Sequence, residues 1–181
     1  ENRGLEYMFA MMNNARLNVG IQGIGVAEHA TQAATAYALD RKQFGVSISE
    51  FGLIRKKFAE MAARFYGAES MIYRTGALID GAFGQADGSI KGNRMAAEEF
   101  AMECSACKIL STEAEAFIVD EALQCYGGYG FTEEFPIARH YRDARVSRIY
   151  EGTNEINRVF LADRLIRRAK DGRASVTSHG D

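Results

Sequence analysis

A chain of 181 residues with one proline, Pro136, contains almost nothing that forbids a helix. Proline removes a backbone donor and clashes with the preceding turn, so its near-absence leaves long segments free to coil. The apolar residues recur at three- and four-residue spacing rather than in alternation, which selects helix over strand. From about Phe51 to Ile79, the series Ile54, Phe58, Met61, Phe65, Ala68 and Ile72 marks one helical face. From about Arg94 to Cys125, a second stripe runs through Phe100, Cys104, Cys107, Ser111, Ala114, Ile118 and Ala122 and stops at Gly127 and Gly128. Leu5 to Asp40 is also helical in pattern, although Gly20, Gly23 and Gly25 each cost about 1 kcal/mol against alanine there. Such glycines predict the close approach of another helix. A last helix, about Asn154 to Lys170, carries acids at its start and Arg164, Arg167, Arg168 and Lys170 toward its end, which suits the helix dipole, and Gly172 closes it. Four long helices joined by loops predict an all-α, up-down four-helix bundle with a short extra helical segment over residues 1–170. Residues 171–181 are polar and unpatterned and read as a flexible tail.

Composition narrows the function. A hydrophobic content of 47% is enough for one well-buried core. A formal net charge of -2 gives no dense basic surface, so nucleic acid is not an expected partner. No apolar run approaches the roughly 20 residues that span a bilayer. Three cysteines, with no secretory signal ahead of them, point to a reduced compartment rather than a disulfide framework. The chain opens on Glu1 rather than methionine, as an excised piece of a longer protein would.

Three motifs read as packing. Cys104 and Cys107 form C-x-x-C, but on the apolar stripe of a helix with no strand ahead of it. His29, His140 and His179 include no Glu-x-x-His pair of the kind a di-iron bundle uses, so no metal site is expected. The glycines of "GIQGIGVAE" do not complete a dinucleotide fingerprint, because Glu28 stands where the last glycine belongs.

The loops carry more chemistry. "DGSIKGN" (87–93) has plain turn composition. "DRKQFG" (40–45) and "QCYGGYGFTEEFP" (124–136) supply an arginine, aromatic rings and glycines between them. On composition alone these read first as structural turns, with a cradle for a flat anionic cofactor as the alternative: guanidinium for phosphate, rings for stacking and bare backbone amides. In "RIYEGTNEIN" (148–157), the acid Glu151 stands beside a glycine where the chain bends, although Thr153 or Asn154 is enough to cap the helix that follows.

Taken in order, "NNAR" (13–16), "DRKQFG", "QCYGGYGF" (124–131) and "RDARVSRIYEGTNEI" (142–156) resemble the C-terminal helical domain of the acyl-CoA dehydrogenase family, from about Glu1 to Arg168. "SEFGLI" (49–54) and "EGTNEI" (151–156) lean toward its very-long-chain branch. The resemblance implies FAD as cofactor, an acyl-CoA thioester as substrate and a trans-2-enoyl-CoA as product. It also implies Glu151 as the base that takes the α-proton. Ala15 occupies the alternative base position used by some members, which leaves Glu151 as the family-consistent acid. Arg41 and Phe44 match residues at the FAD pyrophosphate of a neighbouring subunit, and Gln124, Gly127 and Gly128 match the loop receiving the adenosine end. Thr153 and Glu155 match flavin-contacting positions, although many members have glutamine at the latter, and Gly52 replaces a flavin-side glutamine found in some branches. Asn13, Arg16, Tyr150 and Gly152 match positions near the thioester arm and acyl channel. Further implications are a homodimer or homotetramer, an electron-transfer flavoprotein as electron acceptor, and a location in the bacterial cytoplasm or the mitochondrial matrix. An acyl-CoA oxidase and a non-catalytic interaction bundle are the alternative functions. Without the other domains of the family, the chain alone is expected neither to hold FAD tightly nor to turn over.

Overall fold

The computed structural model describes residues 4–173. Helix α1 (Gly4–Asp40) is followed by a two-stranded hairpin, β1 (Lys42–Gln43) and β2 (Val46–Ser47), and a 3-10 turn at Ile48–Glu50. Then come α2 (Gly52–Gln85), α3 (Ile90–Glu99), α4 (Ala101–Tyr126), α5 (Gly128–Phe131), α6 (Ile137–Ser147) and α7 (Asn154–Lys170). The expected all-α bundle is present, and its four long helices are α1, α2, α4 and α7.

α4 is the axis of the fold. It packs along α1 and against α2, α6 and α7, and buried residues occur all around it, from Cys104 and Cys107 to Ile118, Val119 and Ala122. α1 meets it through a seam of Gly20, Gly23, Ala27, Ala30, Ala34 and Ala38, small enough for the two backbones to approach. A Cβ on Gly20 would lie 3.3 Å from Ser111 Oγ, and one on Gly23 only 2.9 Å from Glu115 Oε2. Gly25 departs from the expectation, since a Cβ there meets nothing within 4 Å. It opens instead onto a groove between α1 and α2. The C-x-x-C thiols are core, as read from the sequence. Burial pushes Cys104 up to about 12, and Cys107 Sγ donates to Thr75 Oγ1 at 3.2 Å.

Two boundaries differ from the sequence reading. The predicted helix Arg94 to Cys125 is broken at Phe100, whose φ of -100° and ψ of 24° end α3 and admit α4 in a new direction. The expected short extra helical segment has a counterpart in α6, an eleven-residue helix after the 124–136 loop, in a stretch given no element of its own in the sequence reading, that buries Ile137, Ala144 and Ser147. His29 and His140 tie α6 to α1 through ring nitrogens 2.7 Å apart. Gly172 closes α7 as expected, with φ +69° and a bond from the Arg173 amide to the Arg168 carbonyl at 2.8 Å, the Schellman arrangement. The rest of the predicted tail, 174–181, and His179 lie outside the described residues.

Candidate active site

Two clusters hold the residues singled out in the sequence. The first forms where α1 ends and α4 ends. The hairpin closes with Phe44 at φ +51° and Gly45 at φ +87°, the paired left-handed residues of a tight two-residue turn. Arg41 is fixed just ahead of it by its carbonyl, which accepts from the Ile48 amide at 2.9 Å. Across from it, Gly127 ends α4 at φ +59°, ψ -137°, a conformation that favours glycine. Arg41, Phe44, Gln124, Gly127 and Gly128 all line one cleft of about 590 Å³. The Arg41 guanidinium lies 5.6 Å from the Tyr129 ring centroid and forms no ion pair among the described residues. Phe44 stands 92% exposed on the rim, 6.3 Å from Phe51. An unpaired guanidinium, aromatic faces and side-chain-free backbone fit a flat anionic group.

The second cluster is the loop ahead of α7. Glu151 has φ +56°, rare for a residue with a Cβ, and Gly152 follows at φ +82°. Three elements hold this bend from three directions. From α7, Asn157 Nδ2 donates to the carbonyls of Gly152 at 2.7 Å, Thr153 at 3.1 Å and Glu151 at 3.4 Å. From α4, Lys108 Nζ donates to the Gly152 carbonyl at 3.0 Å and to Asn154 Oδ1 at 2.7 Å. From α1, Arg16 Nε donates to the Glu151 carbonyl at 3.5 Å, while its other nitrogen reaches Asn13 Oδ1 and Ser105 Oγ, both at 3.4 Å. Arg16 is buried, with its guanidinium 4.9 Å from the Phe160 ring centroid, and desolvation lowers its pKa. Tyr150 reaches α1 through its hydroxyl, 3.5 Å from Gln22 Oε1.

Glu151 itself is only half-buried, and its bonds run through its backbone carbonyl. Its carboxylate has no hydrogen-bond or ion-pair partner among the described residues, and its amide likewise finds no acceptor there. Thr153 caps α7 by accepting from the Ile156 amide at 3.3 Å. Glu155 is the acid that serves the helix start, where backbone amide donation first, and then the Thr153 hydroxyl, hold its pKa down. Glu151 is therefore not required by the helix it precedes.

The clusters stand apart along α1, the loop cluster against Asn13 to Gln22 and the cleft at the C-terminal end of the helix. Arg16 and Asp40 are separated by about 36 Å at a helical rise of about 1.5 Å per residue. Thr153 and Glu155, expected with the cofactor set, belong to the loop cluster, and Glu155 borders a shallow depression with Ile156, Val159 and Phe160 rather than the cleft. The sequence reading missed Lys108, Ser105, Asn154 and Asn157. Lys108 was visible in principle, as a lysine one turn past Cys104 on a stripe that is otherwise buried.

A helical bundle carrying a spare carboxylate on a left-handed loop defines the class, and the sequence agrees: residues 2–166 match the family described as acyl-CoA dehydrogenase, C-terminal domain. The chain belongs to that family. It is 37% identical over 174 residues to a probable acyl-CoA dehydrogenase of Bacillus subtilis, covering 94% of this chain and 29% of the relative. Its fold matches the crystal structure of an acyl-CoA dehydrogenase complexed with FAD from Bacillus anthracis with a TM-score of 0.91 at 38% identity, covering 95% of this chain and 31% of that one. Butyryl-CoA dehydrogenase from Megasphaera elsdenii matches with a TM-score of 0.80 at 29% identity, over 92% of this chain and 40% of the other. A chain in the structure of the electron transferring flavoprotein of Acidaminococcus fermentans gives the same score, identity and coverage. The chain thus spans well under half the length of these relatives.

Proposed function

We propose that this chain is the base-bearing, subunit-joining domain of an FAD-dependent acyl-CoA dehydrogenase. The observation that carries the reading is Glu151, a carboxylate without a partner among the described residues, held on a strained bend by bonds from three helices. A proton next to a thioester is only weakly acidic, so its removal needs a positioned base and a stabilised enolate oxygen. Glu151 supplies the base, and its unengaged amide supplies a donor for the thioester oxygen. Gly152 lets the chain turn at φ +82° with Asn157 packed against it, and Arg16, Asn13 and Tyr150 shape the approach. Bound FAD supplies the acceptor for the β-hydride. Arg41, Phe44, Gln124, Gly127 and Gly128 hold its pyrophosphate and adenosine end, with Thr153 and Glu155 toward the flavin.

The two clusters are separated by roughly 20 Å or more along α1, and in this reading a cofactor that uses both draws them from two copies. Self-association also covers the apolar start of α1, where Leu5, Phe9 and Met11 are more than half exposed. Residues 1–170 form the domain in this reading, with 171–181 as a tail. An electron-transfer flavoprotein is the proposed electron acceptor, supported by the similarity to the Acidaminococcus structure. No described helix is long and apolar enough to cross a membrane. Bacterial cytoplasm or mitochondrial matrix is the proposed location, in keeping with bacterial and mitochondrial relatives. The very-long-chain leaning finds no support, since two relatives, one from Megasphaera elsdenii and one from Bos taurus, are named as short-chain specific. The oxidase and interaction-module alternatives are not favoured by these relatives.

The test is anaerobic titration of the full-length protein and of this chain with a series of acyl-CoA thioesters. The full-length protein should bleach its flavin, while the isolated chain should neither retain flavin nor react. A full-length protein that binds no flavin would overturn the reading.

A further inference from the structure

Lys108 is fully excluded from solvent about two turns into α4, and no carboxylate lies within ion-pair distance of it among the described residues. A buried ammonium group is costly unless its protons are used, and burial pulls Lys108 down to about 8. Its bonds run to one place, the Gly152 carbonyl at 3.0 Å and Asn154 Oδ1 at 2.7 Å. Asn154 is itself fixed from α4, donating to Thr112 Oγ1 at 3.0 Å and Glu113 Oε1 at 3.2 Å. Core packing alone would be met by methionine, which fills similar volume without a charge.

We infer that Lys108 is a positioning residue for Glu151: by clamping the Gly152 carbonyl and the Asn154 side chain, its ammonium fixes the bend that aims the Glu151 carboxylate and amide at one reacting group. This rests on the reading of Glu151 as the base. Asn157 also holds the Gly152 carbonyl, but from α7, the helix that the loop begins, and moves with it. Lys108 instead ties the loop to the central helix.

The test uses the full-length flavoprotein with Lys108→Met, Lys108→Gln and, as reference, Glu151→Gln. Stopped-flow flavin reduction, acyl-CoA affinity, thermal melting and amide exchange over residues 148–157 are measured for each. Lys108→Met should reduce flavin roughly 30- to 100-fold more slowly, the loss expected when a reacting group is misplaced by about 1 Å. Substrate affinity should stay within about threefold and the melting temperature should not fall, because an apolar side chain replaces a buried charge. Loop amides should exchange about tenfold faster for the lost bonds. Lys108→Gln, which keeps a neutral donor, should fall between. Wild-type reduction rate and loop exchange in Lys108→Met would overturn the inference. So would the failure of both variants to accumulate as folded flavoprotein, which would make Lys108 a support of the fold rather than of the loop. Failure of the base reading itself appears separately, as normal reduction by Glu151→Gln.

Discussion

Burial decides what individual residues contribute. Glu115 is buried in α4 with Oε2 unpartnered, and burial pushes its carboxyl up to about 7, against smaller opposing effects of Ser147 and Arg148. Because its folded pKa is raised, the folded state holds the proton more tightly than the unfolded chain does. Stability is therefore greatest below about pH 4.5 as far as this group is concerned, falls as pH rises to about 7, and is level above that. Glu115→Gln should leave stability at pH 5 little changed and raise it at pH 8 by roughly 2 to 3 kcal/mol, seen in melting curves of the full-length protein at both values. A variant equally affected at both pH values would contradict this. Glycines divide in the same way. An alanine Cβ at Gly130 would lie 2.5 Å from the Leu123 carbonyl oxygen, so Gly130→Ala should cost about 1 to 3 kcal/mol and disturb the cleft wall. Gly25→Ala, facing open space inside a helix, should stabilise by up to about 1 kcal/mol. Chemical denaturation of the two variants side by side checks both.

Elements were legible where a side was apolar and illegible where it was not. Ile54, Phe58, Met61, Phe65, Ala68 and Ile72 give α2 away, and the acid-to-base gradient with Gly172 gives α7 away. α6 is amphipathic but only eleven residues long and polar overall, with only Ile137, Ala144 and Ser147 reaching the core, so no long stripe announces it. The break at Phe100 depends on a backbone turn between two segments that share one stripe, which periodicity cannot detect. For the site, "YEGT" marked Glu151, and the two glycine and arginine loops marked the cleft. The polar residues that hold the bend were hidden because Lys108 and Asn157 act through buried side chains on helices that read only as packing. At this scale, Arg41→Ala should weaken FAD retention by about 2 kcal/mol, the worth of a hydrogen bond to a charged group, without lowering the melting temperature of the apoprotein. Flavin dissociation measured by fluorescence checks it, and unchanged retention would remove Arg41 from the cofactor site.

The whole molecule must reconcile two clusters separated by roughly 20 to 36 Å along one helix. A cofactor shared between copies makes a specific demand on mixed oligomers. Arg41→Glu subunits should lack flavin, and Glu151→Gln subunits should bind it inertly. Co-expressed, the two should regain activity, because one of the mixed sites combines the intact Glu151 of one copy with the intact Arg41 of the other. Continued inactivity in purified mixed oligomers would place both clusters in one chain's site. The most direct test of the central claim is rapid mixing of the full-length flavoprotein and its Glu151→Gln variant with the same acyl-CoA without oxygen. The expected result is that both bind the thioester and only the parent bleaches, with the variant slowed at least about 100-fold. Equal bleaching by the two would show that Glu151 is not the base.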